Sequence, residues 1–166
     1  RVLDLCAGSG CIGLAIAAHA PGVRGVLGEY SDAALKVCRQ NVRRCGLTAR
    51  MIPMQVNALE RPDRALGEFQ CIVSNPPYIP SKEIDALQRE VRDFEPRSAL
   101  DGGADGLDFY RRIALDATKY LARGGMLIME VGAGEAEDVV KLFKYCDYAM
   151  ILKDMQGVDR FVKIVV

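Results

Sequence analysis

Tyr148-Ala149-Met150-Ile151-Leu152-Lys153, followed by Asp154 to Asp159 and then by Arg160-Phe161-Val162-Lys163-Ile164-Val165-Val166, is the stretch that decides the fold. Both runs have strand composition, and only six residues, Asp154 to Asp159, separate them. A parallel crossover needs about a dozen residues or more, so this last pair must be antiparallel. Upstream the chain alternates instead between short apolar runs and helical patterns, the signature of a doubly wound α/β sheet with ligands gathered at the carboxyl ends of its strands.

Arg1 to Leu5 is an apolar run that stops at Ala7-Gly8-Ser9-Gly10, and a helical stretch follows from Cys11 to Ala20. Val23 to Gly28 is a second strand ending in Glu29, with Ser31 as N-cap of a helix that carries Leu35, Cys38 and Val42 at helical spacing and stops at Gly46. A third strand lies between Ala49 and Val56, where Pro53 lacks a backbone donor and predicts an edge position or a bulge. Phe69 to Ser74 is nearly all apolar, as expected of a strand covered on both faces. Ile84, Leu87 and Val91 predict a short helix within Ser81 to Phe94, followed by a loop to Gly106. A longer helix runs from about Leu107 to Ala122, with Tyr110, Ile113, Ala117 and Leu121 on one face. Met126 to Val131 is a strand and Gly134 to Cys146 a helix. Seven strands result, most of them parallel.

The chain has 166 residues, half of them hydrophobic, which suits one domain over 1–166. The 22 basic and 22 acidic residues cancel, so overall charge does not favour a protein that neutralises many phosphates. No apolar run approaches the roughly 20 residues that cross a bilayer, and no signal-peptide pattern opens the chain, so a cytoplasmic location is expected. Cys6, Cys11, Cys38, Cys45, Cys71 and Cys146 form no C-x-x-C pair and His19 is the only histidine, so no metal site is expected. The cysteines read as small buried hydrophobes, and His19 as a helix-end residue.

Asp4 ends the first strand, and Gly8-Ser9-Gly10 lets the backbone pass close to a ligand. Cys6 stands where the first glycine of a G-x-G-x-x-G would be, so the loop alone separates poorly between cofactor classes. Glu29, 19 positions after Gly10, can accept hydrogen bonds from both hydroxyls of a ribose, with Tyr30 beside it. Asn57, followed by Ala58, can accept from an adenine amino group. Asn75-Pro76-Pro77-Tyr78 is far more specific. Two prolines fix the backbone, so that the Asn75 side-chain oxygen and the Pro76 carbonyl can take both N–H groups of a planar nitrogen whose delocalised lone pair makes it a poor nucleophile. The Tyr78 ring can pack on that acceptor and favour a cationic methyl through its π face.

Beyond these pieces the sequence resembles the HemK-like protein-(glutamine-N5) methyltransferases, which modify the Gly-Gly-Gln motif of peptide-chain release factors. The resemblance rests on Asp4 to Gly10, Val73 to Pro80, Phe94-Glu95-Pro96-Arg97-Ser98-Ala99-Leu100 with Gly102 to Leu107, and Glu130-Val131-Gly132. It implies a class I methyltransferase (Rossmann-like) fold, a seven-stranded mostly parallel sheet with a C-terminal antiparallel hairpin. It implies an S-adenosylmethionine pocket, releasing S-adenosylhomocysteine, that draws on Asp4, Cys6, Ala7, Gly8, Ser9, Gly10, Glu29, Tyr30, Asn57, Ala58 and Asn75. Asn75, Pro76, Pro77 and Tyr78 would grip the glutamine of a release factor. The family commonly has glycine at Cys6, aspartate at Glu29, and an acid followed by a bulkier residue at Asn57-Ala58. Such enzymes carry an N-terminal helical domain, and the present sequence starts inside the first strand. Asparagine-proline-proline-aromatic also occurs in adenine-N6 DNA and guanine-N2 RNA methyltransferases, though zero net charge makes nucleic acid the lesser expectation. A nucleotide-binding module without methyl transfer would explain the glycine loop and Glu29 but not Asn75 to Tyr78, and the three departures are the only support for a non-catalytic scaffold.

Overall fold

A computed structural model describes the chain apart from Pro62 and the side chains of Arg64, Ala117 and Thr118; the expected place of Ala117 on its helix face lies outside the described residues. Among the described residues seven strands form one sheet: β1 (Val2–Leu5), β2 (Gly25–Glu29), β3 (Met51–Gln55), β4 (Phe69–Ser74), β5 (Leu121–Glu130), β6 (Tyr148–Lys153) and β7 (Asp159–Val165). Their order is β3-β2-β1-β4-β5-β7-β6. The first five pair in parallel, while β7 enters between β5 and β6 and runs antiparallel to both. The hairpin expected from Tyr148 to Val166 is present, with its second strand inserted inside its first.

Two helices, α1 (Cys11–His19) and α2 (Asp32–Arg44), pack through Leu14, Ala17, Cys38 and Val42 against Leu27 and Met51 in one apolar layer. Ser31 caps α2, its hydroxyl accepting from the Ala34 N–H at 3.4 Å, and Gly46 follows at φ 67°. A larger core gathers Phe69, Tyr110, Leu127, Met129, Val139, Val162 and Ile164. Pro53 sits on β3, at the edge of the sheet, where a missing N–H breaks no interior ladder.

Several boundaries differ from expectation. The helix over Ser81 to Phe94 is replaced by a 3₁₀ turn at Ile84–Ala86 and a single turn, α3 (Arg89–Arg92), and the expected loop beyond it holds a further single turn, α4 (Arg97–Leu100). β5 begins at Leu121, before the expected Met126. Of Ile84, Leu87 and Val91 only Ile84 is buried, and an isolated helix with no face to pack is marginal in water. The long helix, α5 (Asp108–Tyr120), stops short of Ala122 because Leu121 already pairs with Phe69 before a bulge. The last helix, α6 (Ala136–Leu142), is shorter than Gly134 to Cys146, since Gly134 lies at φ 85° and Phe143 turns back to the Val140 carbonyl.

All six cysteines are free: Cys38 is buried, Cys6, Cys71 and Cys146 are half-buried, and Cys11, which opens α1, and Cys45, which follows α2, are exposed. His19 lies exposed in the last turn of α1, with Nδ1 2.9 Å from the Ala15 carbonyl. No helix among the described residues is long and apolar enough to cross a membrane, and among them no group of three or more His, Cys, Asp or Glu is gathered to hold a metal ion.

Candidate active site

The carboxyl ends of β1, β2, β3 and β4 open onto a cavity of about 370 Å³, the size range of a small-molecule pocket. Of the expected residues Cys6, Gly8, Glu29, Tyr30, Asn57, Ala58, Asn75 and Pro77 line it, and Asp4, Ala7, Ser9, Gly10, Pro76 and Tyr78 do not. Cys6 and Gly8 of the turn after β1, and Asn75 and Pro77 after β4, are the residues of those segments that reach the cavity.

The four residues of the glycine turn that miss the wall have packing duties. Asp4 is fully buried and its Oδ2 accepts from the Gly13 N–H at 2.8 Å. Ala7 packs in the layer beneath α1, and the Ser9 carbonyl accepts from Asn41 Nδ2 at 3.0 Å. Gly10 stands at φ 82°, and a Cβ there would lie 2.9 Å from Cys38 Sγ, so it is glycine for helix packing and not for ligand approach. Gly8, at φ 55°, does leave open space where a Cβ would point. Cys6 holds φ 61°, a left-handed conformation that glycine adopts freely and cysteine does not. Burial, and then the Glu29 charge, push its thiol up to about 12, so it stays a neutral thiol.

Two carboxyl groups bond the backbone around the glycine turn. Glu29 accepts from the Gly8 N–H through Oε2 at 2.8 Å and from the Ser31 N–H through Oε1 at 2.7 Å. Asp4 takes the Gly13 N–H of the first turn of α1. The backbone N–H groups of Gly8, Ser31 and Gly13 are thus engaged by carboxyl oxygens. Each Glu29 oxygen keeps a lone pair for a sugar hydroxyl. Asn57 is partly committed: its Oδ1 accepts from the Leu59 N–H at 3.0 Å and its Nδ2 donates to Glu60 at 2.9 Å, which leaves one lone pair on Oδ1 for an exocyclic amine.

The family model described as "Methyltransferase small domain" matches residues 1–93, more than half of the chain. The chain belongs to this methyltransferase family. It is similar to the release factor glutamine methyltransferase of Geobacter sulfurreducens, 45% identical over 97% of this chain and 56% of the relative, and to that of Rhodospirillum rubrum, 44% identical over 96% and 49%. The chain therefore spans about half the length of these relatives. Among solved structures, TrmN from Thermus thermophilus superposes with a TM-score of 0.70 over 99% of this chain and 43% of that one, at 18% identity, a likeness of fold alone.

In this methyltransferase domain the Asn75 to Tyr78 segment leaves β4 with Asn75 exposed on the cavity; among the described residues no side-chain hydrogen bond engages its amide. The Ser74 hydroxyl donates to the buried Leu5 carbonyl at 2.7 Å and locks the segment's start to β1. Its end is held by the glycine-rich stretch after α4. Ile79 N–H donates to the Leu100 carbonyl and Gly102 N–H returns to the Ile79 carbonyl, at 3.0 and 2.9 Å. A Cβ on Gly102 would stand 2.8 Å from Tyr78 Cα, and one on Gly106 2.4 Å from the Tyr78 carbonyl oxygen. Pro96, Ser98, Ala99, Asp101 and Phe109 complete the cavity, and sequence reasoning gave none of them a place there. The signal was present in the Phe94 to Leu100 motif, but nothing local says that this segment returns over the ends of β1 and β2. Asp101 fastens that return. It accepts from the Ser81 hydroxyl at 2.5 Å, the Gly103 N–H at 3.0 Å and Arg97 at 3.2 Å, contacts that hold its carboxyl below the ordinary range.

Proposed function

We propose that this domain transfers a methyl group from S-adenosylmethionine to the side-chain amide nitrogen of the glutamine in the Gly-Gly-Gln motif of a peptide-chain release factor. The observation that carries the cofactor is Glu29 on the cavity wall beside the open space at Gly8. The outer lone pairs of Glu29 suit a ribose, and the Glu29 and Asp101 carboxyl groups on the cavity suit a cation. S-adenosylmethionine supplies an electrophilic methyl on a sulfonium centre. Gly8 leaves room for it, and Asn57 offers an acceptor for an adenine amine.

The rest of the reading belongs to this chain's own side chains. Asn75 Oδ1 and the Pro76 carbonyl can accept the two N–H groups of a primary amide, holding its plane and directing its nitrogen into the cavity. Pro76 and Pro77 give that pair of acceptors a stiff backbone, with no N–H to compete for them. Forming the N–C bond acidifies the nitrogen, so its proton can leave to water without a strong base. The names of the relatives support glutamine of a release factor as acceptor, and unpaired cysteines throughout support a cytoplasmic setting.

The test is methyl transfer by the full-length protein to a release factor bearing Gly-Gly-Gln, with duplex DNA and structured RNA as competing acceptors. Transfer to the factor that is lost in Asn75→Ala by about a hundredfold or more, while calorimetry still finds cofactor binding, is the expected result. Transfer to DNA or RNA but not to the factor would replace the acceptor, and failure to bind S-adenosylmethionine and S-adenosylhomocysteine would defeat the cofactor assignment.

A further inference from the structure

Glu130-Val131-Gly132 is a motif to which neither the cofactor pocket nor the amide grip assigns a task. Glu130 is the last residue of β5, half-buried beside the end of β4. Its Oε1 accepts a hydrogen bond from the Tyr78 hydroxyl at 3.3 Å. Its backbone carbonyl accepts from the hydroxyl of the fully buried Tyr110 at 2.8 Å, and Glu130 pairs with Phe161 of β7, so the carboxylate projects from a fixed point in the core. Tyr78 is therefore held at both ends. Gly102 and Gly106 pack against its backbone with no room for a side chain, and Glu130 holds its hydroxyl.

We propose that Glu130 is a positioning residue that, by holding the Tyr78 hydroxyl, fixes the end of the segment that presents Asn75 to the cavity. The inference rests on the reading of Asn75 to Tyr78 as the methyl-acceptor grip. A carboxylate is a stronger acceptor for a phenol O–H than a neutral amide, so the tether holds best with glutamate at this position. Burial, followed by the Glu130 charge, raises the Tyr78 hydroxyl above its ordinary range, so the phenol stays a donor at neutral pH.

Glu130→Ala and Tyr78→Phe should each lower kcat by about tenfold, leaving the KM for S-adenosylmethionine within about twofold. Glu130→Gln, whose amide oxygen still accepts, should recover much of the loss, and the double variant Tyr78→Phe with Glu130→Ala should fall no further than either single. An Ala variant with wild-type kcat, or a double variant in which the two losses multiply, would overturn the proposal. Labelled-tyrosine NMR provides a readout that needs no acceptor: the Tyr78 Cζ resonance should move in Glu130→Ala and move less in Glu130→Gln. A wild type that methylates no release factor would sink the acceptor reading, whereas an unmoved Cζ resonance in a folded Glu130→Ala protein sinks this inference alone.

Discussion

Asp4 lies fully buried beneath the first turn of α1, one carboxylate oxygen bonded to Gly13 and the other, Oδ1, with no partner among the described residues. Burial raises it from 3.8 to about 6, the Gly13 N–H opposes the shift, and the Glu29 charge adds to it. Between those two values the folded protein holds a proton that the unfolded chain has lost. The associated stability is thus complete below about pH 3.8 and disappears as pH rises through about 6. Urea unfolding should show wild type losing about 2 kcal/mol relative to Asp4→Asn between pH 4.5 and 7, since asparagine keeps the acceptor for Gly13 and has nothing to titrate. A pH-independent difference would mean that Asp4 is neutral or ionised throughout. Cys6 is a second strained point: its left-handed backbone is the conformation for which the resembling family uses glycine, and its thiol lines the pocket in place of open space.

The elements divide by what holds them. The glycine turn, the capped helix α2, the edge strand with Pro53 and the apolar strand before Asn75 were legible in sequence because each is governed by nearby residues: a left-handed glycine, a serine cap, a missing donor, a run of buried side chains. The stretch from Ser81 to Leu100 was not legible as structure, because residues 92–99 are all exposed, Phe94 by 80%, and periodicity has no buried face to report. What shapes it is long-range: the parallel bridge of Ile79 with Asp101 and the contacts of Asp101. The same holds for the cavity, where Glu29 was readable from its place after a strand, while Phe109 and Asp101 are brought there only by the complete fold. Gly106 tests this bracing. Gly106→Ala should displace the Tyr78 carbonyl and cost about 1–3 kcal/mol of stability, lowering kcat while cofactor binding by calorimetry is retained. Unchanged kinetics would show that the brace is not transmitted to Asn75.

At the scale of the whole molecule, the sheet is organised around a seam. β7 is bonded antiparallel on both sides and buries Val162 and Ile164 completely, so it ties β6 to the parallel half that carries the site. Ile164→Ala should therefore cost about 2–5 kcal/mol, read as a lower denaturant midpoint, and the loss should be seen alike by probes near the cavity and near β6; separate transitions would mean that the two halves unfold independently. The seam leaves two unequal borders. On β3 a proline interrupts the outward ladder, whereas β6, Tyr-Ala-Met-Ile-Leu-Lys, has no proline and exposes Tyr148 and Met150, with a charge only at Lys153. Intermolecular strand addition in concentrated or partly unfolded samples would thus recruit the β6 border, on the flank remote from β3, and a single proline or lysine placed there is the natural guard for solubility.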